Sequence, residues 1–169
     1  MDVKDLLTDL FARVDEHVHE AVDGLSREAL TTPPEEGTNT IGWLVWHLAR
    51  VQDHHIADIL DQEQVWVTGD WAGRFGLTAE PDNTGYGHDA AEMLSVRPES
   101  SDALIDYYQA VAAVTAGLIS TTTPEQLDRV VDERWDPPVT MGVRLISIAD
   151  DDIQHAAQAV YARGMLERR

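Results

Sequence analysis

"MGVRLISIADDDIQHAAQAVYARGML", residues 141–166, is the stretch from which the rest of the chain can be read. Met141, Leu145, Ile148, Ala149, Ala156, Ala159 and Val160 recur at the three-to-four-residue period of an α-helix with one buried stripe. The spacing predicts one long helix from Met141 to Leu166. Along one shoulder of its stripe lie Asp151, His155 and Gln158, and side chains four apart stack on a single helical face. A carboxylate and an imidazole so placed suit two ligands of one metal ion, and they suit an ordinary solvated pair equally well.

Working outward, the rigid "DERWDPPVT" precedes this helix, with room for short strands between Val130 and Val139. Before it, "SSDALIDYYQAVAAVTAGLIST" predicts a helix over 102–120 with Ser101 as cap, followed by the Pro-initiated turn "TPEQLDRVV". Residues 62–100 lose periodicity, so we expect an irregular, lid-like connection holding at most one short helix. Trp66, Trp71 and Phe75 argue that this connection packs onto the body. "IGWLVWHLARV" opens a helix over 41–61 capped by Thr40 or Asn39, and Leu6, Leu7, Leu10, Phe11, Val14 and Val18 mark another over 3–24 ending near Gly24. Four long amphipathic helices without alternating strands predict an all-α four-helix bundle, one domain over 1–169, with a long connection between helices two and three that allows a crossover topology.

Composition narrows the function. Twelve basic against thirty-one acidic residues give a net charge of −19, which repels phosphate backbones and anionic headgroups, so neither nucleic acid nor a membrane surface is an expected partner. The chain has no cysteine, so any sulfur chemistry here uses sulfur supplied from outside. The acidic "MDVKDLLTDLFARVDEH" lacks the basic start of a signal peptide, and the apolar run around "VAAVTAGLI" falls short of the roughly 20 residues that span a bilayer, which predicts a cytoplasmic address.

The stripe of the second long helix runs through Ile41, Leu44, Val45, Leu48, Ile56 and Ile59, leaving His47 on its shoulder beside Val51. If that shoulder faces the Asp151–His155 strip, two imidazoles and one carboxylate converge, a set suited to a catalytic Zn²⁺ and also to the facial triad of Fe²⁺. The plainer account keeps each histidine as a hydrogen-bonded core residue. His54 is two turns from His47 and reads as a rim residue; His17, His19, His55 and His88 read as packing or surface residues. Asp150 and Asp152 point to other faces, as in a charged helix segment. Trp43, Trp46 and Trp135 read first as core, although Trp135 and Arg134 beside the "DPP" break could also reach the mouth of a site.

"TNTIGWLVWHLARVQDHH" together with "RWDPPVTMGVRLISIADDDIQHAAQAVYARGML" resembles the DinB-like and YfiT-like superfamily, in particular actinobacterial members that include mycothiol S-transferases. The resemblance implies a four-helix bundle holding a divalent metal through three histidines, one in the second long helix and two four apart in the last. His47 matches the first and His155 the second of the terminal pair. Gln158 stands in the family's His-x-Gly-Gln position with Ala157 replacing glycine, and Asp151 stands where the other histidine is usual. An added negative charge weakens the ion as a Lewis acid.

The expectation is therefore a metal-dependent S-transferase joining mycothiol, or another small thiol, to an electrophile in detoxification. His47, Asp151 and His155 hold the metal, Zn²⁺ before Ni²⁺ or Fe²⁺, and Trp135 and Gln158 are candidates for contact with the cosubstrate. A homodimer is compatible with this. Two rivals stand beside it: another metal-dependent isomerase or hydrolase on the same scaffold, and a non-catalytic protein that binds a metal or an apolar ligand.

Overall fold

The computed structural model describes residues 1–168; the last position of the expected 1–169 domain lies outside them. The chain forms helices α1 (Val3–Val22), α2 (Arg27–Thr31), α3 (Ile41–Leu60), α4 (Val65–Thr68), α5 (Ala90–Ser95), α6 (Ser101–Thr121), α7 (Pro124–Leu127) and α8 (Met141–Leu166), with strands β1 (Val130–Asp132) and β2 (Val139–Thr140). It is an all-α bundle built on α1, α3, α6 and α8, with a minor two-stranded hairpin.

Side chains acting as caps set the helix starts. Asp2 and Asp5 form a capping box on α1, while Thr40 and Thr140 accept the backbone N–H groups of Trp43 and Val143 at the starts of α3 and α8. The α6 cap is Ser100, one residue before the expected Ser101, which is already helical.

Long-range contacts fix the helix directions. His47 meets His155 near one end of the α3–α8 pair and His55 meets Arg144 near the other, so these helices are antiparallel. Arg163 donates to the carbonyls of Glu20 and Asp23, while Leu7 and Phe11 share a core cluster with Met141 and Leu145, so α1 and α8 are parallel. Lys4 donates to the Ser120 carbonyl near one end of the α1–α6 pair and Gln109 meets His19 near the other, so α6 is antiparallel to α1 and hence parallel to α3. The order is up, down, down, up. Residues 62–100 must therefore return along the length of the bundle, and this is the crossover that their length allows.

That segment is more structured than expected. It contains two short α-helices, α4 and α5, and a 3₁₀ turn at Ala72–Phe75. It packs on the body through Trp66 and Phe75, both fully buried, with Trp66 edge-on to Trp46 and Tyr107. Its inner stretch is tied down by Arg50, a fully buried arginine of α3. Arg50 donates to the carbonyls of Asn83 and Pro81, to the Tyr107 hydroxyl and to Asp53, and Asp53 also accepts the backbone N–H groups of Val65 and Trp66. A buried charge persists only with partners of this kind, so the cluster fixes residues 80–84 against α3.

Among the described residues, α6 alone is long and apolar enough to cross a membrane, which the apolar run within it did not suggest. Its Leu104, Tyr107, Tyr108 and Val111 are buried in the bundle.

Candidate metal centre

His47, Asp151 and His155 come together. Each offers one ligand atom, and these atoms lie within 4.8 Å of one another. Tetrahedral zinc with bonds of about 2.1 Å separates its donors by about 3.4 Å, so binding would close the widest separation by about 1.4 Å at most, shared between two side chains and within the range of a side-chain rotation. One oxygen of Asp151 and Nδ1 of His155 are buried without any hydrogen-bond partner. Buried polar atoms are rarely left in this condition, and a cation is one thing that satisfies them. The donor set fits a divalent metal.

His47 differs from its sequence reading as a border residue: it is buried, at 5% exposure. The loop 81–88 folds over the shoulder of α3 and covers it. Trp43, one turn earlier on α3, stacks on the His47 ring at 4.6 Å between centroids and 10° between planes. The His47 Nδ1–H donates to the Thr84 carbonyl, which places the lone pair on Nε2. Burial pushes the His47 imidazole below its ordinary pKa; the Thr84 carbonyl partly offsets this, and His155 lowers it further. A neutral ring with Nε2 free is the form that a metal requires.

Gly85 makes this arrangement possible. Its φ is +90°, and a Cβ there would fall 2.8 Å from His47 Nδ1 and 2.9 Å from a ring carbon of Trp46. His88, read as a surface or packing residue, belongs to the support of the site: it stacks on Trp46 at 5.9 Å, accepts the Trp43 indole N–H at 3.2 Å and donates through Nε2 to Asn83 at 2.9 Å. Nothing in its spacing marks this role; the only local signals were the Gly85 and Gly87 pair and the acidic cap that follows.

A cavity of about 420 Å³ opens beside the donors, lined by His47, Val51, His54, His55, Asp82, Thr84, Tyr86 and Asp151. His54, expected at a rim, lines this cavity. So does His55, whose imidazole is pushed down to about 4 by burial and by the Arg144 charge. Gln158 lies elsewhere, lining an apolar groove with Pro34, Leu44 and Tyr161. Trp135 is 64% exposed on the β1–β2 hairpin, so it is not core, and it does not line the cavity. Arg134 pairs with Asp132 on the same hairpin. His17 and His19 lie at the surface beside Glu20 and Asp23.

Asp152 also departs from its reading as one more residue of a charged helix segment. It is completely buried, both its carboxylate oxygens lack partners, and burial raises its pKa well above the carboxylate range, with the Asp151 charge adding to the effect. Asp150 stays outside and accepts from Gln154 at 2.9 Å.

Comparison with known proteins agrees with this architecture. The model of the DinB superfamily matches residues 10–159. A crystal structure of a conserved protein from Enterococcus faecalis superposes with a TM-score of 0.91 at 30% identity, covering 100% of this chain and 99% of that one. No curated protein gives a significant match.

Proposed function

The chain belongs to the DinB superfamily, and from that premise we propose that it is a metal-dependent thiol S-transferase. The observation that carries the reading is the convergence of His47, Asp151 and His155 beside a cavity large enough for a small molecule. Without cysteine of its own, the chain takes its nucleophilic sulfur from a low-molecular-weight thiol, and the motif resemblance points to mycothiol. A divalent cation at these donors, Zn²⁺ before Ni²⁺ or Fe²⁺, supplies the Lewis acidity that keeps a thiol ionised near neutrality.

The protein's own part is placement. Thr84 holds the His47 tautomer, the Trp43 ring shields one face of that imidazole from water, and Arg50 fixes the covering loop. Asp151 adds a negative charge that tempers the Lewis acidity of the cation. The electrophile enters the cavity walled by His54, His55, Asp82 and Tyr86. In this proposal the enzyme works in the cytoplasm as one domain, alone or as a homodimer.

The test is chelation followed by reloading. Conjugation of mycothiol to a fluorogenic electrophile is expected to stop on metal removal and to return with zinc; undiminished activity after chelation refutes the mechanism. A donor set of two histidines and one carboxylate also suits metal-dependent hydrolysis or isomerisation, so product analysis with and without thiol separates this second reading.

A further inference from the structure

The cavity beside the three donors has a second polar wall, formed by His54 and His55, which meet edge to face at 5.2 Å. Arg144 reaches His55 from α8, with Nη1 3.4 Å from His55 Nε2. A guanidinium has only donors and keeps its charge, so the ring nitrogen facing it carries the lone pair. The proton of the neutral ring then sits on Nδ1. Arg144 cannot easily turn away, because its Nη2 donates at 2.8 Å to Asp132, and its side chain is only 13% exposed. Among the described residues the His55 Nδ1–H has no hydrogen-bond partner.

We propose that His55 is a substrate-binding residue that donates its Nδ1–H to an uncharged oxygen acceptor, such as an amide or ketone carbonyl, of the molecule held in this cavity. The inference rests on the reading of the cavity as the substrate pocket. Asp82, which is not one of the three donors, lines the same cavity, and its carboxylate disfavours an acidic ligand beside His55, so a neutral carbonyl is favoured over a carboxylate of the same size. The low pKa of His55 agrees: the ring stays a neutral donor throughout the physiological range and does not become an imidazolium that would attract an anion.

The experiment uses long-range ¹H–¹⁵N spectra of the uniformly labelled full chain near neutral pH. His55 is expected to show a protonated Nδ1 and a bare Nε2. Arg144→Met is expected to mix the two tautomers, while Arg144→Lys, which retains a cationic donor, keeps the Nδ1–H form. Titration of the wild-type protein with propionamide is expected to shift the His55 Nδ1 signal, and propionate at the same concentration is expected to leave it in place. A dominant Nε2–H tautomer, or an Nδ1 signal unmoved by propionamide, overturns the assignment. Equal shifts with both probes overturn the preference for a neutral ligand. Neither thiol nor turnover enters the measurement, so a failure of the transferase reading and a failure of this one are told apart.

Discussion

The His47 imidazole has its proton placed by a backbone carbonyl, and the His55 imidazole by an arginine; each histidine is thereby committed to one side of the cavity. Removing a partner that merely orients a ligand usually lowers metal affinity about 10–100-fold, so removing a ligand itself costs more. His47→Ala, Asp151→Ala and His155→Ala are each expected to weaken zinc binding by more than about 100-fold in a competition titration against a chromophoric chelator, with the helical circular dichroism retained. His55 makes a different prediction. Its folded pKa of about 4 lies below the unfolded value of about 6.5, so the unfolded chain takes up the proton first as the pH falls. The stability that neutral His55 contributes is fully present above about pH 6.5 and is lost progressively toward about pH 4, by about 1–3 kcal/mol after allowing for its partial exposure. His55→Gln is expected to flatten that part of the profile in denaturant titrations; an unchanged slope would show that His55 does not titrate in this way.

At the scale of elements, the loop 81–88 determines whether the donors are held in place. Gly85→Ala adds a Cβ where His47 and Trp46 already stand, at a backbone angle that side chains rarely adopt. The expected cost is about 1–3 kcal/mol, with metal affinity falling about 10–100-fold as the Thr84 carbonyl is pushed from His47. Calorimetry and the same chelator competition measure the two effects. Arg50→Met is expected to be harsher globally, about 3–5 kcal/mol, because Asp53 and two loop carbonyls lose a buried cation, and hydrogen exchange should report the loosening over 81–88. The sequence shows why these two positions differ in legibility from the long helices. The stripe from Met141 to Val160 repeats often enough to establish a helix, and it placed Asp151 and His155 on one shoulder. Arg50 has no such repetition: in "HLARV" it reads as an ordinary polar position, and its burial is visible only once Pro81, Asn83 and Tyr107 surround it. His88 depends in the same way on Trp43 and Trp46, more than forty positions earlier. The short helices α4 and α5 escaped because four to six residues carry too little periodicity to be recognised, although the Asp89–Glu92 capping box was present in the letters.

For the whole molecule, metal and stability are linked, and the net charge of −19 must be separated from that link. A ligand that binds only the folded state, at 100 times its dissociation constant, adds about 2.7 kcal/mol. For a chain of this size each kcal/mol moves the melting temperature by about 2–4 °C, so saturating zinc is expected to raise it by about 5–11 °C. Divalent cations will also screen a strongly acidic surface and relieve its self-repulsion, which raises the melting temperature without occupying any site. The screening part depends on charge and is shared by Mg²⁺ and by His155→Ala, whereas the site part needs the imidazole. Scanning calorimetry of both proteins with each cation therefore divides the effect: wild type with zinc should exceed wild type with magnesium by several degrees, and His155→Ala should respond to the two ions alike. Equal zinc responses in wild type and His155→Ala would place the cation on the acidic surface, and the convergence of His47, Asp151 and His155 would then have no metal to explain it.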